Sequence, residues 1–446
     1  MGIDTVALMS TLMRIGQLLL ALSLLVFIHE LGHFLFARLF GVRVDKFYLF
    51  FDVKGKALWR YRPKGSETEY GIGWLPLGGY CKIHGMIDES LDTKQIKEPM
   101  RGNEFRSKPA WQRFFILIGG VLFNFVLALL IYAGISYHWG DVEMSSRSVT
   151  AGMVFSPAAQ EVGFHDGDII WSIDGQERDV LRTDFMRAVI EAKVVTVQRD
   201  GQLIDITIPD DMMQRILRGN EGLMTMQVPF IADSIVPGSA AAQAGVLRGD
   251  KLLALDSIPM PHLPSGRRYF YTHAGEWISS EWLRGADTVQ LAIHPDTTGV
   301  IGVMLRPLQS IYEVQQVHYS LPQSFVVGWH KGIGTLSGYA QDMKYVFTPE
   351  GASSLGGLVS MGKLFPAQWD WFTFWQICAL LSIIFAFMNI IPIPGLDGGH
   401  LLFVIWEMIT GRKVKDEVLI RAQMVGMLLL IALVIYANGN DLFKLF

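Results

Sequence analysis

Apolar residues in this chain of 446 residues are gathered into four long blocks rather than spread evenly. The first runs from Ile15 to Phe36, the second from Phe114 to Ile135, the third from Phe372 to Ile391, and the fourth from Val418 to Ala437. A helix crosses the hydrocarbon core of a bilayer with ~20 apolar residues, so each block predicts a transmembrane span. The second and third blocks carry no charge, and the fourth carries only Arg421. A cleavable leader would also explain the first block, since Arg14 precedes its apolar core. No small-residue cleavage site follows, however, and the block is expected to stay as a span.

Lysine and arginine beside the spans set the orientation. Arg38, Arg43 and Lys46 follow the first span, and Arg101, Arg106, Lys108 and Arg113 precede the second. Arg412, Lys413, Lys415 and Arg421 lie between the third and fourth. The opposite flanks carry Asp141, Glu143 and Asp370 instead. These loops are therefore expected in the cytoplasm, with both termini and the long polar middle section outside it.

That middle section repeats itself. Residues 157–170 match residues 239–252, each with an alanine-rich stretch and a glycine (Gly163, Gly245). A Gly-Asp pair follows in each, at Gly167-Asp168 and Gly249-Asp250, and then an apolar run ending in Asp174 or Asp256. The order reads as a short helix, a turn and a strand. It resembles the signature of PDZ domains, which implies two α/β modules in tandem, at 144–212 and 226–308. Such modules can bind a peptide as an added strand. Alternatively they act as a size filter, because they join the outer ends of the second and third spans.

Composition narrows the function. Half the residues are hydrophobic and 18% are charged, below the ~25% of soluble domains. A net charge of -4 with no basic, aromatic-interleaved run gives no footing for nucleic acid. The two cysteines, Cys81 and Cys378, form neither a disulfide framework nor a CxxC site.

The chemistry lies in His29-Glu30-Leu31-Gly32-His33, an HExxH pattern at the end of the first span. On a helix, positions i and i+4 share a face, so His29 and His33 can reach one metal ion. Glu30, roughly 100° round the helix, can serve as general base for a zinc-activated water. Ionisable groups at membrane depth are costly unless they are paired or functional. A catalytic zinc wants a third protein ligand. Asp397 follows the third span in Asn389-Ile390-Ile391-Pro392-Ile393-Pro394-Gly395-Leu396-Asp397-Gly398-Gly399-His400, at matching depth, with His400 as a rival. Two other classes use some of these features. A membrane scaffold presenting PDZ modules would need neither motif, and a metal transporter would need no general base.

HExxH in the first span with Asn-x-x-Pro-x-Pro-x-Leu-Asp-Gly after the third resembles the site-2 protease family. The tandem repeats narrow the likeness to its bacterial RseP type. That implies an α-helical polytopic membrane protein with four transmembrane helices, a membrane-re-entrant β-hairpin and two inserted PDZ domains. The corresponding segments are 1–38 (first span with HExxH), 39–113 (cytoplasmic loop, hairpin at 67–82) and 114–135. After the two modules come a connector at 309–371, the third span at 372–391 and the fourth at 418–437. The resemblance implies zinc held by His29, His33 and Asp397, with Glu30 as catalytic base. It also implies substrate contacts from Asn389, from Asn124 of the second span, and from a hairpin edge at Gly71, Ile72, Gly73 and Trp74. The expected substrates are single-span membrane proteins, such as anti-sigma factor-like stubs and remnant signal peptides. The expected place is the bacterial inner membrane, with the site facing the cytoplasm.

Overall fold

The computed structural model describes residues 5–76, 78–86, 101–182, 184–219, 222–260, 262–346, 348 and 356–443. The chain divides into two compact units, one of Met1–Gly140 with His318–Phe446 and one of Asp141–Val317.

In the first unit the four predicted spans are helices, at Thr5–Leu39, Ala110–His138, Trp371–Ile390 and Asp416–Phe443. Each is long and apolar enough to cross a membrane. The chain is thus a polytopic membrane protein with an inserted β-containing unit. Apolar surface alone does not drive helices together in lipid, so close packing at small residues matters more. The first two spans show this directly. A Cβ on Gly32 would lie 2.2 Å from the Gly119 carbonyl oxygen, and one on Gly119 would lie 2.7 Å from that of Gly32. Backbone therefore touches backbone at the HExxH turn, which brings both histidines against the second span.

Of the further helices in this unit that lie outside the apolar blocks, two pack against the second span. Leu321–Val346, inside the expected connector, packs along the second span, where a Cβ on Gly328 would lie 2.8 Å from the Ala133 nitrogen. Its glycines and charges dilute the hydropathy by which spans are recognised. The other, Asp397–Thr410, starts at the Leu-Asp-Gly motif and ends at Gly411 in the left-handed region (φ 68°). Buried Arg113 of the second span donates to Glu407 at 2.5 Å and ties this helix in place.

The expected hairpin at 67–82 is corrected by the strand order. Four strands, β1 (Val44–Leu49), β2 (Ala57–Tyr61), β3 (Glu69–Gly73) and β4 (Tyr80–Ile83), form one sheet in the order β2-β3-β1-β4. β3 and β4 never pair, because β1 runs between them, parallel to β3 and antiparallel to β4. The physical reason lies in β1 itself. Its Val44, Phe47 and Tyr48 are buried, and a strand with that much apolar surface belongs inside a sheet. The basic residues flanking it made the segment look like a loop.

The second unit holds two separate cores. One is centred on Phe164, Ile170, Ile173 and Val197, the other on Leu252, Leu255, Phe270 and Trp282. The repeat appears as matching ion-pair clamps. Arg199 grips Asp168 at 2.7 Å and the Gly163 carbonyl at 2.8 Å. Arg284 does the same to Asp250 at 2.7 Å and to Gly245 at 2.8 Å. Burial pushes the Asp250 carboxyl up, but hydrogen bonds from Arg284 and the Leu247 N–H outweigh it and hold the group below its usual range.

The module boundaries also need correcting. The first core extends past 212 to Ile216, Leu223 and Met224, and it takes in Tyr312 from beyond the second module. Strand Gln315–Val317 pairs with Asp141–Glu143, closing the unit at its own entrance. The second module is therefore an excursion from the first.

Candidate active site

His29 and His33 stand one helical turn apart, with ring centroids 4.8 Å from each other. The chain leaves the third span at Ile390 and turns through Pro392 and Pro394, which cannot continue a helix. Gly395 follows at φ 102°, a conformation side-chain-bearing residues rarely adopt. A Cβ on Gly398 would lie 2.2 Å from the Ile391 carbonyl oxygen, so the new helix starts tightly against this loop. Asp397 sits in its first turn, where the helix dipole favours a carboxylate.

This brings Asp397 Oδ2 to 3.0 Å from His29 Nε2 and 3.1 Å from His33 Nε2, while the two Nε2 atoms are 3.3 Å apart. The three donor atoms lie within 4.8 Å of one another, mostly shielded from solvent. Two imidazole nitrogens and one carboxylate oxygen are a donor set that suits catalytic zinc. The surroundings fit a metal as well. A Cβ on Gly120 would lie 2.5 Å from His33 Nε2 and 2.6 Å from His29 Cε1, so only glycine leaves the cradle open. His33 Nδ1 lies 2.8 Å from the Ile116 carbonyl oxygen, an arrangement that leaves Nε2 able to ligate a metal.

A cavity of about 590 Å³ opens beside these groups. His29, Glu30, His33, Asn389, Asp397 and His400 line it, with β4 residues from Tyr80 to Ile83 on another side. His400 lines the cavity but lies outside the donor cluster found among the described residues. Glu30 rests against the start of β4, its Cγ 3.6 Å from where a Cβ on Gly79 would be.

The remaining expected contacts fall elsewhere. Gly71, Ile72, Gly73 and Trp74 do not line the cavity, and β3 is an interior strand. Gly71 makes room for the Tyr48 ring and Gly73 for the Phe51 backbone. Asn124 is fully buried and faces His29 rather than the cavity.

Sequence reasoning also passed over part of the wall. Lys46 pairs with Asp52 at 2.7 Å, and Tyr80 donates to the same carboxylate at 2.7 Å. The fourth span contributes buried Gln423 to the cavity, and its Gly426 lies so close to Pro394 that a Cβ would overlap the carbonyl.

Comparison with known proteins agrees with the resemblance to the site-2 protease family. Residues 17–433 match the profile of peptidase family M50. The chain is 27% identical over 461 residues to Regulator of sigma-E protease RseP of Escherichia coli, covering 98% of this chain and 100% of that one. It is 28% identical over 464 residues to Regulator of sigma E protease of Haemophilus influenzae, covering 98% and 100%. Metalloprotease MmpA of Caulobacter vibrioides is 26% identical over 448 residues, covering 97% and 96%. With its profile match running almost end to end, the chain belongs to peptidase family M50 and is a zinc-dependent metalloendopeptidase.

Proposed function

We propose that this peptidase cuts single-span membrane proteins in or near their transmembrane segments, at a site facing the cytoplasmic side of a bacterial inner membrane. One observation carries the reading: His29, His33 and Asp397 converge beside Glu30 in a cavity walled by the sheet's last strand, β4. The excess of lysine and arginine on the loops after the first and third spans supports the orientation. The relatives named regulators of sigma E protease favour regulated intramembrane proteolysis; the substrates in this reading are anti-sigma factor-like stubs and remnant signal peptides, as the family resemblance implies. The inserted repeats are PDZ modules in this reading.

His29, His33 and Asp397 hold the zinc. When bound, it supplies Lewis-acid polarisation of the scissile carbonyl and makes water acidic enough to react near neutral pH. Glu30 takes the proton of the attacking water and passes it to the leaving amine. A helical peptide bond is shielded by its own hydrogen bonds, so the substrate must be drawn out straight before it can be cut. β4 offers the edge that satisfies the groups this exposes, in place of the hairpin edge at Gly71–Gly73. Glu30 rests against Gly79 at the start of β4, which puts that edge next to the base.

The test uses a synthetic single-span substrate with the purified full-length protein. Cleavage should fall within the span and stop with a zinc chelator. N-methylation should block it at every second residue beside the scissile bond, the period of strand pairing. Cleavage indifferent to N-methylation, or confined to the water-exposed part of the substrate, would overturn the reading.

Asn389 lines the cavity wall, and in this reading it holds the substrate backbone or the oxyanion. Asn389→Leu should lower kcat by about 10²–10³-fold and leave zinc content unchanged. Full activity with lowered stability would make it a helix-packing residue instead.

A further inference from the structure

The nitrogens that converge on Asp397 are Nε2 of both histidines. A neutral imidazole that ligates a metal through Nε2 carries its hydrogen on Nδ1, and that N–H needs an acceptor. His33 has one in the Ile116 carbonyl at 2.8 Å. His29 Nδ1 instead faces the Asn124 side chain, with Nδ2 at 3.4 Å. In the metal-bound state that arrangement sets a donor against a donor. Meanwhile Asn124 Oδ1 is buried with no hydrogen-bond partner, although a buried carbonyl without one is costly. The two ends of an amide have the same shape, and rotating it by 180° exchanges them. That rotation gives the oxygen a donor and the His29 N–H an acceptor, and it moves the amide nitrogen to the position without a partner.

We infer that Asn124 is a positioning residue for the zinc site: its Oδ1 accepts from His29 Nδ1–H and holds that ring with Nε2 toward Asp397. This rests on the zinc reading of His29, His33 and Asp397. It replaces the substrate contact expected of Asn124, which is fully buried and off the cavity wall. Both ligand rings are then steered from the second span, one by the backbone at Ile116 and one by the side chain at Asn124. The Asn124 position is itself fixed independently of its side chain, because Ser382 of the third span donates to its backbone carbonyl at 2.7 Å. A side-chain substitution leaves that bond in place.

The test compares wild type, Asn124→Leu and Asn124→Asp as purified full-length proteins. Zinc affinity is measured by chelator competition, together with the rise in Tm that zinc produces over the metal-free protein. Asn124→Leu, close in shape but with no acceptor, should bind zinc about 10–100-fold more weakly and lose part of that rise. Asn124→Asp, which keeps an acceptor and has no donor, should hold zinc within about threefold of wild type. The cobalt-substituted spectrum should change in Asn124→Leu and stay close to wild type in Asn124→Asp. Undiminished zinc affinity in Asn124→Leu would overturn the inference, as would an equal loss in Asn124→Asp. A rise in KM at unchanged zinc affinity would return Asn124 to substrate binding. A failure of the zinc site itself would show elsewhere, in a His33→Ala protein that still binds zinc fully.

Discussion

Glu30→Gln is expected to leave zinc bound and to lower kcat by about 10²–10⁴-fold, the usual worth of a positioned general base. That corresponds to roughly 3–5 kcal/mol of the activation barrier. Glutamine keeps the shape of the side chain against Gly79 and β4 but cannot take a proton. Three neighbouring groups form the donor cluster, and Glu30 is outside it. Metal analysis and single-turnover cleavage on the same preparation separate the two properties. A Glu30→Gln protein that has lost its zinc would make Glu30 a ligand, and one that still turns over at the wild-type rate would remove it from the mechanism.

Gly120→Ala should weaken metal binding with a single added carbon. That carbon would sit 2.5 Å from His33 Nε2 and 2.6 Å from His29 Cε1, well inside van der Waals contact. The rings must swing aside or the two spans must part. Overpacking of this kind costs about 1–3 kcal/mol, which at 1.4 kcal/mol per tenfold weakens zinc binding by about 5–150-fold. Gly134→Ala on the same helix is the matched control, because nothing lies within 4 Å of its added carbon. Zinc titration of both variants, with their unfolding temperatures, decides the point. Equal zinc affinity in the two would show that Gly120 does not shape the site.

Much of this molecule could be read from residues alone, where the signal was local. Twenty apolar residues in a row announce a span wherever they end up packing, and all four are helices. HExxH announces two donors on one helical face, because the helix itself fixes their spacing. Pairings between distant segments were less legible. β1 comes between β3 and β4 on the strength of buried Phe47 and Tyr48, a competition that reading from Glu69 to Lys82 could not reveal. The helix Leu321–Val346 escaped notice because glycines that let it pack closely on the second span also lower its hydropathy. Asn124 was noticed for its place in the second span, but its partner is a ring atom ninety-five residues earlier in the chain. Polar side chains in a membrane acquire meaning from what they face, and facing is a property of packing.

The nesting of one repeat inside the other has an evolutionary side. After the second core closes, the chain returns to lay Tyr312 on the first core, where its hydroxyl donates to the Gln227 carbonyl, and then adds Gln315–Val317 as a strand. Gln227 and Tyr312 thus mark a doorway on the first repeat through which the second leaves and comes back. A lineage could lose, replace or enlarge the guest through that doorway while its host kept a complete core. The host has no such freedom, since removing it would take away both jambs. Across distant descendants, the inner repeat should therefore vary in length and be missing more often than the outer one.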